Sequence, residues 1–153
     1  MRIDDVDPGD RYHGPALLRL QQAAYAVEAA VIGDDRIPGL HESLNDLRAA
    51  PLRWLGAFEE TRLIGAVAWS ETAGEVDIDR LVVDPRWHRR GVGRALLQAV
   101  LSHAGVRRVA VSTGRENHPA RELYAGLGFI EVGDVEVIPR LWITRYGYVP
   151  SAL

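Results

Sequence analysis

The chain predicts an α/β domain built on a mixed, mostly antiparallel central sheet with about four helices on its faces. Three observations carry that expectation. Apolar residues near the N-terminus recur every three or four positions, then give way to short β-branched runs in the middle of the chain. Two of those runs flank a polar tetrapeptide, Glu59-Glu60-Thr61-Arg62, which marks a hairpin. Successive hairpins argue against a doubly wound, all-parallel sheet.

In chain order, Arg2–Val6 reads as a first strand, and Asp7-Pro8-Gly9-Asp10 as a turn. Leu17, Leu20, Ala24, Val27 and Val31 form the apolar stripe of a helix that Gly33 ends. Leu40, Leu44 and Leu47 suggest a second, shorter helix closed before Pro51. Leu52–Phe58 and Leu63–Trp69 are the hairpin strands, and Thr72-Ala73-Gly74 turns the chain into a strand over Glu75–Val83. Gly91–Ala104 is a helix with Val92, Ala95, Leu96, Ala99 and Val100 inward, stopped by Gly105. Val106–Ser112 is the next strand. Pro119–Leu127 is a short helix with proline at its first position and Gly128 past its end. Phe129–Val137 and Arg140–Tyr146 complete an antiparallel pair about Ile138-Pro139.

At 153 residues, 47% hydrophobic and 25% charged, residues 1–153 are expected to form one globular domain. No apolar run approaches the ~20 residues of a membrane span, and the N-terminus lacks the apolar core of a signal peptide. There is no cysteine, which excludes disulfides, thiolate metal sites and a cysteine nucleophile, and fits a cytoplasmic protein. His13, His41, His103 and His118 stand singly, without ligand spacing, so no metal site is expected. The net charge of −3 argues against bulk attraction to nucleic acid.

Within that acidic chain, arginines gather at 86, 89, 90 and 94 around a glycine turn, in Leu81–Leu97, LVVDPRWHRRGVGRALL. A strand, a glycine turn and a helix start make an anion site, because the first helical N–H groups have no intrahelical partner and the helix dipole favours negative charge there. Walker and dinucleotide fingerprints are both absent. A second constellation follows at Asn117–Phe129, where Asn117 suits a helix cap and Tyr124 shares a helix face with Ala120, Leu123 and Leu127.

Together these segments resemble the GNAT superfamily of acyl-CoA-dependent N-acyltransferases. That family's first signature, Gln/Arg-x-x-Gly-x-Gly/Ala after the fourth strand, is met by His88-Arg89-Arg90-Gly91-Val92-Gly93, with His88 departing at the first position. Its second, Asn-x-x-Ala-x-x-Leu-Tyr-x-x-Leu-Gly-Phe, is matched throughout by Asn117–Phe129. The resemblance implies the GNAT fold and acetyl-CoA as acyl donor, lying in a V between Glu75–Val83 and Val106–Ser112. It implies that backbone groups of Leu81, Val82 and Val83 pair with the pantetheine arm. His88, Arg89, Arg90, Gly91, Val92, Gly93 and Arg94 would surround the pyrophosphate, Asn117 would touch the CoA arm, and Tyr124 would protonate the leaving thiolate.

An amine acceptor must also lose a proton. Asp77 is the candidate base, on a strand where Glu75, Asp77 and Asp79 alternate; Asp79, Glu71, His41 and water stay open. Direct transfer in a ternary complex is expected, to a primary amine of a small molecule or peptide chosen by Pro15–Ala50 and Val135–Tyr148. Asp34, Asp35, Glu42 and Asp46 in that region could favour a cationic amine. The rival reading is a non-catalytic acyl-CoA-binding sensor or interaction module. Leu141-Trp142-Ile143 on an edge strand would allow a homodimer.

Overall fold

The structure, a computed structural model, describes residues 1–150. Its sheet has seven strands, β1 (Arg2–Asp5), β2 (Arg53–Glu59), β3 (Arg62–Glu71), β4 (Glu75–Val83), β5 (Arg108–Gly114), β6 (Ile130–Ile138) and β7 (Leu141–Tyr148), in the order β1-β2-β3-β4-β5-β7-β6. Every neighbouring pair is antiparallel except β4 and β5. Four α-helices accompany it: α1 (His13–Ile32), α2 (Leu44–Ala49), α3 (Val92–Ala104) and α4 (His118–Gly126). The mixed, mostly antiparallel sheet and the four helices agree with the class read from the sequence.

The parallel pair follows from α3, whose crossover carries the chain from the end of β4 back to the start of β5. One face of the sheet packs α3 and α4 over Ile64, Val67, Trp69, Val76 and Ile78, with Leu96 and Val100 from α3. The other packs α1 and α2 over Trp54, Phe58, Ala66, Ala68 and Val82, with Leu17, Leu20 and Leu47 from the helices. A Cβ on Gly65 would lie 2.7 Å from Val92 Cγ1, so the bare backbone there lets the first turn of α3 sit directly on β3.

Several boundaries differ from the sequence reading, each for a physical reason. The apolar stripe of α1 is buried only in its first half: Val27 and Val31 are 36% and 47% exposed, because the helix runs on past the cores. The second helix divides into a 3-10 turn, Pro38–His41, and α2, whose start is set by a capping box between Ser43 and Asp46. Val106 lies outside the expected strand and is 93% exposed; Gly105 and the Arg107 N–H bond to Ala104 O spend it on a turn, and β5 begins at Arg108. β7 lies between β5 and β6, so Leu141-Trp142-Ile143 is an interior segment and the edge is β6.

At the end of the sheet where β3 turns into β4, Glu71 accepts from Arg53 at 2.7 Å, His103 at 2.8 Å and Arg107 at 2.9 Å. These donors hold its carboxyl at about 2, well under its ordinary 4.5. A depressed carboxyl contributes stability that is complete above its ordinary value and is lost as pH falls through the depressed one. Glu71→Gln should therefore lower Tm at neutral pH, and the gap from the parent should close between pH 4.5 and about 2 in a melting series. A gap that persists below pH 2 would refute the clamp.

Candidate active site

The site begins with a mismatch in strand register. Ala68 pairs with Arg80, while its neighbour Trp69 pairs with Ile78, so Asp79 is an extra residue in β4. The bulge reverses the alternation of the strand. Val76 and Ile78 enter the α3 core; beyond Asp79 it is Val82 that enters the α1 core, and Leu81 and Val83 turn towards α3. The bulge also marks where the strands part. Ile78 and Val111 are the last pair between β4 and β5, after which Ser112, Thr113 and Gly114 stay with Arg145, Thr144 and Ile143 of β7. The β5-facing edge of Leu81, Val82 and Val83 is left without a strand partner, in an opening bounded by two strands.

Beyond that edge comes the glycine turn. Arg89 and Gly91 both take left-handed backbone, φ 62° and 79°, and Gly91 is the cap from which α3 starts. A positive φ is costly for arginine and free for glycine. The first intrahelical bond is Ala95 N to Gly91 O, so the N–H groups of Val92, Gly93 and Arg94 have no helical acceptor. The arginines are not equivalent. Arg86 is engaged by Asp84 at 2.9 Å and Arg90 lies over the Trp87 ring at 5.0 Å, while Arg89 and Arg94 are exposed, as is His88.

Tyr124, on α4, is 4% exposed and wedged between Phe129 and Tyr146, with ring centroids 5.8 and 5.5 Å away. Burial, and then the nearby Glu28 carboxylate, push its phenol well above the usual range, so it is protonated at neutral pH. Asn117 caps α4 by accepting from Ala120 N–H at 3.3 Å, and its amide lies beside Glu28. Asp77 sits just below the split, paired with Ala110 on β5 and Ser70 on β3, on the face opposite Val76 and Ile78. Partial burial, then Glu75 and Asp79, raise its carboxyl, against the pull of Arg145.

The start of α3 meets β4 and α4: a Cβ on Gly93 would lie 3.3 Å from Leu123 Cδ2, 3.7 Å from Val83 Cγ2 and 3.8 Å from Leu81 Cδ2. Glu71, opposite Val76 at the end of β3, is occupied by Arg53, His103 and Arg107. Asp79 is taken up by Arg80 Nε at 2.6 Å.

Sequence reasoning missed two groups. Arg80, with a side chain only 10% exposed, donates to Gln21 Oε1 and to Glu42 Oε1, both at 2.8 Å, and Gln21 donates to Gly39 O at 3.0 Å. This network ties the bulge to α1 and to the segment before α2. The second is Glu28, half-buried on α1 and raised by burial. A signal existed: Leu17, Gln21, Ala24 and Glu28 share one helix face, and two of the four are polar where the stripe demands apolar residues.

With this geometry in place, comparison with known proteins adds the family. Residues 15–129 match the model of the acetyltransferase (GNAT) family. The chain belongs to that family. A Bacillus subtilis protein named UPF0157 protein YqkA is 35% identical over 136 residues, covering 88% of this chain; the chain spans 40% of that protein's length. Among solved structures, the ribosomal-protein-S18-alanine N-acetyltransferase of Escherichia coli superposes with a TM-score of 0.76 at 18% identity, over 99% of this GNAT chain and 95% of its own. PaiA N-acetyltransferase of Thermoplasma acidophilum, solved in complex with coenzyme A, gives 0.67 at 17% identity, over 97% and 100%. Both share the GNAT fold with this chain. Among the described residues, no helix is long and apolar enough to cross a membrane, and no cluster of His, Asp and Glu is placed to hold a metal ion.

Proposed function

We propose that this GNAT chain transfers an acetyl group from acetyl-CoA to a primary amine, directly and in a ternary complex. The observation that carries this is the split between β4 and β5 with Tyr124 beside it and the free α3 N–H groups at its mouth. An extended pantetheine arm adds to the open edge of Leu81–Val83 as a strand would. The N–H groups of Val92, Gly93 and Arg94 receive the pyrophosphate, helped by the charges of Arg89 and Arg94 and by the backbone N–H groups of Arg90 and Gly91. Asn117 borders the thioester end of the arm.

The chemistry is a single displacement. The amine nitrogen attacks the thioester carbonyl carbon, the new N–C bond forms, and the C–S bond breaks with its electron pair left on sulfur. Backbone N–H on Leu81–Val83 stabilises the transient oxyanion. Two protons leave the ammonium: one passes to a carboxylate and on to solvent, and the other reaches the departing thiolate by way of the Tyr124 hydroxyl. Asp77 is the proposed carboxylate. Glu28 is the second candidate, favoured by its place beside Tyr124 and Asn117. Retention of a buried phenol beside the V favours catalysis over a sensor that only binds acyl-CoA.

The test is calorimetric titration with acetyl-CoA, followed by thiol-release assays against amines. Absence of acetyl-CoA binding at millimolar concentration overturns the donor; binding with no transfer to any amine favours the sensor. The base must be ionised to act, and raised carboxyl values move the acid limb of kcat/KM above the ordinary 3.8 of Asp and 4.5 of Glu. Asp77→Asn or Glu28→Gln, whichever abolishes that limb, identifies the base; a limb that survives both removes the role from each.

A further inference from the structure

The acceptor side of the site carries its own charge pattern. A cleft of about 330 Å³ lies between the end of α1 and the β6–β7 turn, with Arg36, Gly114, Arg115, Arg140 and Trp142 among its walls. Its roof is built: Arg36 grips Asp34 through both carboxylate oxygens, at 2.7 to 3.1 Å, and donates to Pro139 O at 2.9 Å, fastening the segment after α1 to the turn. Gly114 in its wall lies against α1: a Cβ there would lie 3.3 Å from Ile32 Cγ2 and 3.8 Å from Glu28 Oε1.

Arg115 is the next residue. Its backbone is fixed at both ends, N–H to Trp142 O at 2.9 Å and O to the Arg121 guanidinium at 2.8 Å. Its guanidinium lies over the Trp142 ring at 4.7 Å. Yet that guanidinium donates no hydrogen bond among the described residues: Glu116 stands at 3.7 Å and Asp134 at 4.0 Å, the latter already accepting from Thr144 Oγ1 at 2.8 Å. A guanidinium stacked on an aromatic ring with donors free of hydrogen bonds suits a planar or tetrahedral anion.

Of the four acids expected to favour a cationic amine, three are engaged, and the fourth, Asp35, is exposed and does not line this cleft. Asp34 is held by Arg36, Glu42 by Arg80, and Asp46 by the cap of α2. The cleft is walled by the guanidiniums of Arg36, Arg115 and Arg140 and the carboxylates of Asp34 and Glu116, with Glu28 behind Gly114.

We infer that the acceptor is a small amine bearing an anionic group, carboxylate or phosphate, a few bonds from its nitrogen, with the ammonium end at Glu28 and the anion on Arg115. The inference rests on the acetyl-transfer reading. A plain alkylamine leaves Arg115 with only the longer ion pairs to Glu116 and Asp134, and a diamine sets its second cation against the arginines.

The experiment compares matched acceptors on the same enzyme: β-alanine against propylamine and 1,3-diaminopropane, and ethanolamine phosphate against ethanolamine, by thiol release with acetyl-CoA and by calorimetry on the CoA-loaded protein. The anionic member should be favoured about 10- to 100-fold, the value of one charge-assisted contact, and the two pairs separate carboxylate from phosphate. Arg115→Ala should bring that ratio near unity, and Arg115→Lys should restore part of it, with melting curves matching the parent. Neutral or dicationic amines used or bound equally well, or a ratio untouched by Arg115→Ala, overturns the inference. Failure to bind acetyl-CoA in the same calorimeter would instead strike the donor reading.

Discussion

Tyr124→Phe is expected to lower kcat by about 10²- to 10⁴-fold, the range of a lost general acid, with acetyl-CoA affinity and Tm close to the parent. The phenol is 4% exposed and its ring is held by Phe129 and Tyr146, contacts that phenylalanine keeps. Its hydroxyl has no hydrogen-bond partner among the described residues, so removing it leaves no buried group unpaired. A phenol raised by burial is a weak acid towards water but a usable one towards a thiolate formed beside it in a dry site. The defect should therefore shrink with donors whose thiols leave more readily. A variant with parental kcat on acetyl-CoA would remove Tyr124 from the reaction.

Arg80→Ala should be the most damaging change to the scaffold of the site. It strands Glu42 and Gln21, and removing one member of a buried pair costs about 3 kcal/mol or more. For a domain of this size that is roughly 6–12 °C in Tm. Because Arg80 joins the bulge to α1 and to the segment before α2, acceptor KM should rise more than acetyl-CoA Kd. Thermal melts and a two-substrate kinetic analysis check both parts; equal effects on the two substrates would reduce Arg80 to a packing residue.

The elements themselves were legible where local chemistry decides them. Gly33, Gly91 and Gly128 take positive φ at the ends where glycine was read as punctuation, and the hairpin about Glu60 and the start of α3 follow from residues next to one another. The glycine turn before α3 was legible for the same reason. What escaped reading depends on partners distant in the chain. Nothing adjacent to Asp79 announces an extra residue; the offset exists only against Ala68 and Trp69 of β3. Gln21 is a polar residue on a buried helix face whose partner, Arg80, lies 59 residues later. Leu141-Trp142-Ile143 looked like an edge because strand order is a property of the whole sheet. Arg115 carried no motif, and its meaning comes from Trp142 beneath it and from the absence of a closer acid.

The offset at Asp79 acts as a frameshift in a code of period two. Below it, even-numbered positions of β4 answer to the layer of α3; above it, they answer to the layer of α1. One strand thus takes its packing rules from two different interiors, and the change of rule falls where the sheet comes apart. Shape at the donor slot is therefore inherited from both interiors at once: a substitution that swells either layer shifts one wall of the slot relative to the other, at a distance from every residue that touches a substrate.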